Sequence, residues 1–99
     1  DSILNYGSLQ IDTNNHRVVR DGVTVDLTVR EYAILEYLVR NRNIVVTREQ
    51  IRANIWSIDD DINSNVVDVY IRYLRRKIDD PFEEKLIHTI RGVGYRLEC

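Results

Sequence analysis

The chain has 99 residues, 43% of them apolar, which is enough to bury one core without metal or disulfide staples and too few for a multidomain enzyme. Its one cysteine, Cys99, excludes an internal disulfide framework and fits a reducing, cytoplasmic compartment better than a secreted one. No apolar run approaches the roughly 18 residues of a bilayer-crossing helix, and no basic segment precedes an apolar one at the N-terminus. The chain opens on Asp1, so a piece of a longer protein is expected.

Fourteen basic and sixteen acidic residues leave a formal net charge of −2, an average that argues against a nucleic-acid partner. The signs are segregated, however. Residues 65–78 carry Arg72, Arg75, Arg76 and Lys77 against Asp68 alone, a local balance of 4 − 1 = +3, and Asp59, Asp60 and Asp61 cluster just ahead of them.

In chain order, the first 27 residues alternate and turn. Leu9 and Ile11 share one strand face, Thr13-Asn14-Asn15 is a turn cluster, 16–20 resumes a strand, Asp21-Gly22 signals a hairpin, and 23–27 alternates again. A small antiparallel sheet is expected. The period becomes helical at Thr28, which forms a capping box with Glu31; Tyr32, Leu35, Leu38 and Val39 make the apolar stripe, and Asn41-Arg42-Asn43 ends it. A second box, Thr47 with Gln50, opens a shorter helix in which Ile51 and Ile55 share a face and Trp56 lies near the end. After an acidic loop over 57–64 comes a third helix. At about 100° per residue Val67, Ile71, Leu74 and Ile78 fall in one arc, opposite Asn65, Val69, Arg72, Tyr73 and Arg76. Pro81 stops it. Two short strands, 86–90 and 95–97, then flank a glycine turn with Arg91 near its tip. Strands, three helices and a hairpin predict an α+β domain with the layout of a winged helix-turn-helix.

The exposed side of the third helix mixes arginines, an amide, an aromatic and an aliphatic. The DNA major groove accepts that mix: arginine forks onto guanine, amides pair with adenine and an apolar group touches the thymine methyl. The plainer alternative is a solvated charged face. Arg91 beside Gly92 and Gly94 reads either as a finger for the minor groove, with small residues letting backbone approach phosphate, or as an ordinary hairpin whose glycines supply positive φ. Trp56 is either a phosphate donor through its indole N–H or a core residue. Asp59, Asp61 and Asn63 imitate a calcium loop, but Ser64 replaces the glycine and Tyr70 the bidentate glutamate, so no metal is expected. His16, His88 and Cys99 are isolated, and neither catalysis nor a cofactor is expected. A winged-helix module that binds protein through Asp59, Asp60 and Asp61, without binding DNA, is the rival reading.

Two motifs, Asn65-Val66-Val67-Asp68-Val69-Tyr70-Ile71-Arg72-Tyr73-Leu74-Arg75-Arg76-Lys77-Ile78 and Ile87-His88-Thr89-Ile90-Arg91-Gly92-Val93-Gly94-Tyr95, resemble the effector domain of OmpR/PhoB-class two-component response regulators. The resemblance runs from about Tyr6 to Leu97 and includes Leu27-Thr28-Val29-Arg30-Glu31-Tyr32 and Thr47-Arg48-Glu49-Gln50-Ile51. It implies one winged-helix domain over 1–99: an N-terminal antiparallel four-stranded sheet, three helices and a C-terminal β-hairpin wing. It also implies sequence-specific double-stranded DNA binding that regulates transcription, on direct-repeat half-sites. Val69, Arg72, Tyr73 and Arg76 would face the major groove; Trp56, Asn65, Tyr70, Arg75 and Thr89 the phosphates; Arg91 the minor groove. Asp59, Asp60 and Asp61 fall in the loop that touches RNA polymerase in that class. A receiver domain on the N-terminal side and a sensor histidine kinase are the further implied partners, with no membrane. Many members carry arginine and threonine or serine at the positions of Asn65 and Val66, arginine at Tyr73 and histidine at Tyr70, so base preference does not transfer.

Overall fold

The computed structural model describes residues 2–57 and 65–98. Four short strands open the chain: β1 Ile3–Tyr6, β2 Leu9–Asp12, β3 Arg17–Arg20 and β4 Val23–Val25, forming an antiparallel sheet in the order β1-β2-β3-β4. The alternation of Leu9 and Ile11 is what buries one sheet face; both are fully buried, with Val18 beside Ile11 across the β2–β3 ladder. The turns need left-handed backbone at Gly7 (φ 59°), His16 (φ 52°) and Asp21 (φ 52°). That explains one trimmed boundary, since β3 begins after His16. The fourth strand stops at Val25, two residues short of the expected Leu27.

Helix α1, Val29–Arg40, starts at the expected capping box: the Glu31 N–H donates to Thr28 Oγ1 at 3.3 Å and the Thr28 N–H to Glu31 Oε1 at 3.0 Å. Tyr32, Leu35, Leu38 and Val39 are all buried, joined by Ile34. Helix α2, Arg48–Ile55, has the second box, with Gln50 N–H to Thr47 Oγ1 at 3.1 Å and Thr47 N–H to Gln50 Oε1 at 2.8 Å. Helix α3, Val66–Ile78, buries Val67, Ile71, Leu74 and Ile78 as the wheel predicts.

A short strand β5, Val46–Thr47, escaped the sequence reading. It pairs with β7, Gly94–Leu97, which in turn pairs with β6, Ile87–Ile90, so the wing is a three-stranded sheet in the order β5-β7-β6. Two residues leave no period to detect. The pairing fastens the hairpin to the start of α2.

The N-terminal sheet is tied to the far end of α3 by a buried ion pair. Arg20, 1% exposed, donates from Nε to Ser8 Oγ at 2.7 Å and from its two terminal nitrogens to the carbonyls of Ile78 and Glu84, and lies 3.3 Å from Asp79 Oδ1. Asp79, 2% exposed, also accepts the Leu86 and Ile87 N–H groups at 3.0 Å each. One carboxylate thus fixes where α3 ends and β6 begins.

Candidate nucleic-acid interface

Helix α3 has four sides with different surroundings. Its inner side is core. Its outer side carries Asn65, Arg72, Tyr73 and Arg76, all exposed, with Val69 half-buried among them. Neither Arg72 nor Arg76 is held by a hydrogen bond or ion pair among the described residues. Asn65 caps the helix through its carbonyl, which accepts the Val69 N–H at 3.1 Å, and its side chain makes no cap bond.

The side facing the wing is bonded throughout. Arg75 Nη2 donates to Thr89 Oγ1 at 2.6 Å and to the Ile87 carbonyl at 3.2 Å, with its guanidinium 5.6 Å from the centre of the Tyr95 ring. Arg48 of α2 approaches the same ring at 5.3 Å and donates from Nε to Asp68 Oδ1 at 2.7 Å. The Tyr95 hydroxyl donates to that carboxylate as well. Burial pushes the Asp68 carboxyl up, but bonds from Tyr95 and Arg48 outweigh it and hold its pKa below the usual carboxylate value. The same contacts raise Tyr95, chiefly by burial and then by its bond to Asp68, and raise Arg48 through its bond to Asp68. The single acid of α3 is thus spent on holding α2, α3 and the wing together. Nothing in the sequence announced this cluster beyond a lone aspartate in a basic helix.

On the opposite flank runs a ladder of rings. Arg30 of α1 donates to the Ile55 carbonyl at 3.3 Å and sits 5.0 Å above the Trp56 ring. Trp56 meets Tyr70 edge-on, with centres 5.4 Å apart and planes at 66°; Tyr70 meets Tyr73 at 5.6 Å and 74°. Trp56 is 8% exposed and packs in the core, Tyr70 is half-buried, and Tyr73 is 40% exposed.

Arg91 occupies the hairpin tip, exposed, without a hydrogen bond or ion pair among the described residues. The turn 91–93 closes with Val93 N–H to the Ile90 carbonyl at 3.0 Å and needs Gly92 at φ +77°. Gly94 has a reason the sequence reading did not reach. A Cβ there would lie 2.1 Å from the Val46 carbonyl oxygen and 2.8 Å from Thr47 Cα, so Gly94 is required for the close approach of β5. It does not supply a positive φ.

Of the sequence-predicted residues, α3 places Asn65, Val69, Arg72, Tyr73 and Arg76 on one side, brings Arg75 and Thr89 into direct contact, and brings Tyr70 against Trp56. Asp59, Asp60 and Asp61 lie outside the described residues. His16 stacks on Tyr32 at 4.2 Å and His88 Nε2 contacts the Glu98 carbonyl at 3.0 Å. Among the described residues no group of three His, Cys, Asp or Glu side chains could hold a metal, and no helix is long and apolar enough to cross a membrane.

Residues 22–97 match the family described as transcriptional regulatory protein, C terminal. The chain is 45% identical over 97 residues to the transcriptional regulatory protein YkoG of Bacillus subtilis, covering 98% of this chain and 42% of YkoG. It superposes with a TM-score of 0.87 on the response regulator DrrB, an OmpR/PhoB homologue of Thermotoga maritima, at 35% identity over 100% of this chain and 45% of DrrB. The DNA-binding domain of Klebsiella pneumoniae RstA, solved in complex with the RstA box, gives a TM-score of 0.87 at 29% identity, covering 99% of this chain and 98% of that one. The chain spans less than half the length of YkoG and DrrB. With three helices, a four-stranded N-terminal sheet and a C-terminal wing in the same arrangement, this chain belongs to the C-terminal transcriptional regulatory family of OmpR/PhoB-class response regulators.

Proposed function

We propose that residues 1–99 form the effector domain of a two-component response regulator and bind double-stranded DNA sequence-specifically to regulate transcription. The observation that carries this is the division of the cations. Arg48, Arg75 and Lys77 are bonded to protein groups, whereas Arg72, Arg76 and Arg91 are left exposed on α3 and the hairpin tip, among the described residues. A helix side with exposed guanidiniums fits the major groove, and a tight turn bearing one arginine fits the narrower minor groove. Val69, Arg72, Tyr73 and Arg76 face base edges. Asn65, Tyr70 and the bonded pair Arg75–Thr89 face phosphates, which fix register without reading sequence, while Trp56 packs in the core and backs Tyr70. RstA, solved on its own DNA box, supports the same use of this fold here.

In the whole protein, a receiver domain lies N-terminal and a sensor histidine kinase phosphorylates it, as in the response regulators this chain resembles. Phosphorylated receivers bring two effector domains together on direct repeats, which raises the effective concentration at the second half-site. The segment carrying Asp59, Asp60 and Asp61 meets RNA polymerase, in the cytoplasm. The domain performs no catalysis of its own.

Salt titration tests this. If about four to six phosphates are neutralised, log K against log salt falls with a slope of about −4 to −5. A flat dependence, with flow-through on DNA or heparin columns at low salt, favours the protein-interaction reading and rejects DNA binding by this face.

A further inference from the structure

We infer that Tyr73 reads the 5-methyl group of a thymine in the major groove and that Tyr70 is the positioning residue that sets the Tyr73 ring for it; this rests on the DNA-binding reading. Two observations carry the inference. First, Tyr73 stands on the same side of α3 as Arg72 and Arg76, is 40% exposed, and lies one helical turn from Val69. It is therefore the largest apolar group on a side that otherwise carries two guanidiniums, an amide and the smaller, half-buried Val69. The thymine methyl is the apolar group that base edges display in the major groove; their other features are hydrogen-bond donors and acceptors, which arginine and amide side chains take. An exposed ring among arginines has that methyl as its natural contact.

Second, the ring does not hang freely from the helix. Tyr73 meets Tyr70 edge-on at 5.6 Å, Tyr70 meets Trp56 edge-on at 5.4 Å, and Trp56 is buried beneath Arg30, which is bonded to the end of α2. The ladder runs from the core outward, each ring limiting the rotation of the next. Edge-to-face pairs prefer defined angles, so Tyr73 presents one fixed outline to the duplex. A methyl is recognised by contact alone and rewards a held surface more than a mobile one. Tyr70 thus has a role in its ring that is separable from any contact of its hydroxyl with phosphate.

The test uses this chain and a duplex obtained by random-oligonucleotide selection. Each thymine is replaced singly by deoxyuridine, which removes the methyl and leaves pairing intact. One thymine is expected to cost the wild type about fourfold in affinity, the value of one buried methyl. That sensitivity disappears in Tyr73→Ala, persists in Tyr70→Phe, and falls below about twofold in Tyr70→Leu, which fills the volume without a ring. Specific binding with no deoxyuridine-sensitive thymine, or a sensitivity that survives Tyr73→Ala, overturns the thymine assignment and leaves DNA binding intact. Equal sensitivity in Tyr70→Leu and wild type overturns the positioning role. Absence of salt-dependent duplex binding by the wild type overturns both the inference and the reading beneath it.

Discussion

Replacing Asp79 with alanine should cost this domain much of its stability. The carboxylate is 2% exposed, lies 3.3 Å from the guanidinium of the equally buried Arg20, and accepts two backbone N–H groups at 3.0 Å. Alanine leaves Arg20 with neutral acceptors and the half-exposed Glu84 carboxylate at 3.9 Å, and it strands the Leu86 and Ile87 donors. Removing one partner of a buried pair costs about 3–5 kcal/mol, because the remaining charge and donors stay out of water without compensation. A domain of this size has about 5–15 kcal/mol in total, so the loss lowers Tm by about 12–40 °C and moves the urea midpoint by about 1–5 M. Urea unfolding followed by the fluorescence of Trp56, the single tryptophan and a buried one, reads this directly. Asp79→Asn keeps an acceptor for one N–H and should fall between wild type and Asp79→Ala. A change below about 1 kcal/mol for Asp79→Ala at unchanged m would refute the reasoning, since it would mean that the pair is not desolvated in solution.

Gly94→Ala should destabilise by about 2–3 kcal/mol through the clash with Val46 and Thr47, and should loosen the wing; Gly92→Ala, at φ +77° in open space, should cost about 1–2 kcal/mol of backbone strain only. Paired thermal melts check the order. Acid unfolding follows from carboxylates whose folded pKa is depressed. Burial pushes Glu31 up, but its bonds with Lys77 and Thr28 bring it below 4.5, and Asp68 lies below 3.8. Their contribution is therefore complete above those values and is lost as pH falls through the lower folded ones. Lys77→Gln, whose lysine is about two-fifths exposed, should remove about 0.5–1 kcal/mol at neutral pH, screened as such pairs are, and flatten the acid limb of a stability curve. An unchanged limb contradicts the Glu31–Lys77 contribution.

Much of the fold was legible because local signals agreed with one another. Both capping boxes formed as read, and the four apolar positions of α3 repeat at helical period, so its outer side was fixed by elimination. Tertiary features were not legible. Strand β5 has two residues and exists because Gly94 lets Val46 come close, a relation between positions 48 apart in sequence. Arg20 closes a strand in the sequence with nothing to mark it as buried, and only the packing of the sheet on the end of α3 buries it. The interface was half legible: periodicity put Arg72, Tyr73 and Arg76 on one side, but periodicity cannot say which cations are already bonded. Arg75 and Arg76 are sequence neighbours with opposite circumstances, one held by Thr89 and the Ile87 carbonyl, the other exposed.

Affinity for a selected duplex, measured side by side for wild type, Arg72→Ala, Arg76→Ala, Arg91→Ala and Arg40→Ala, bears most directly on the division of the cations. Arg40 is exposed on α1 and tied to Glu36 at 2.9 Å. Arg72→Ala and Arg91→Ala should each weaken specific binding by about 1–3 kcal/mol, Arg76→Ala in the same direction, and Arg40→Ala should match the wild type. Equal affinity for all five proteins would contradict a DNA-binding surface built from α3 and the hairpin tip.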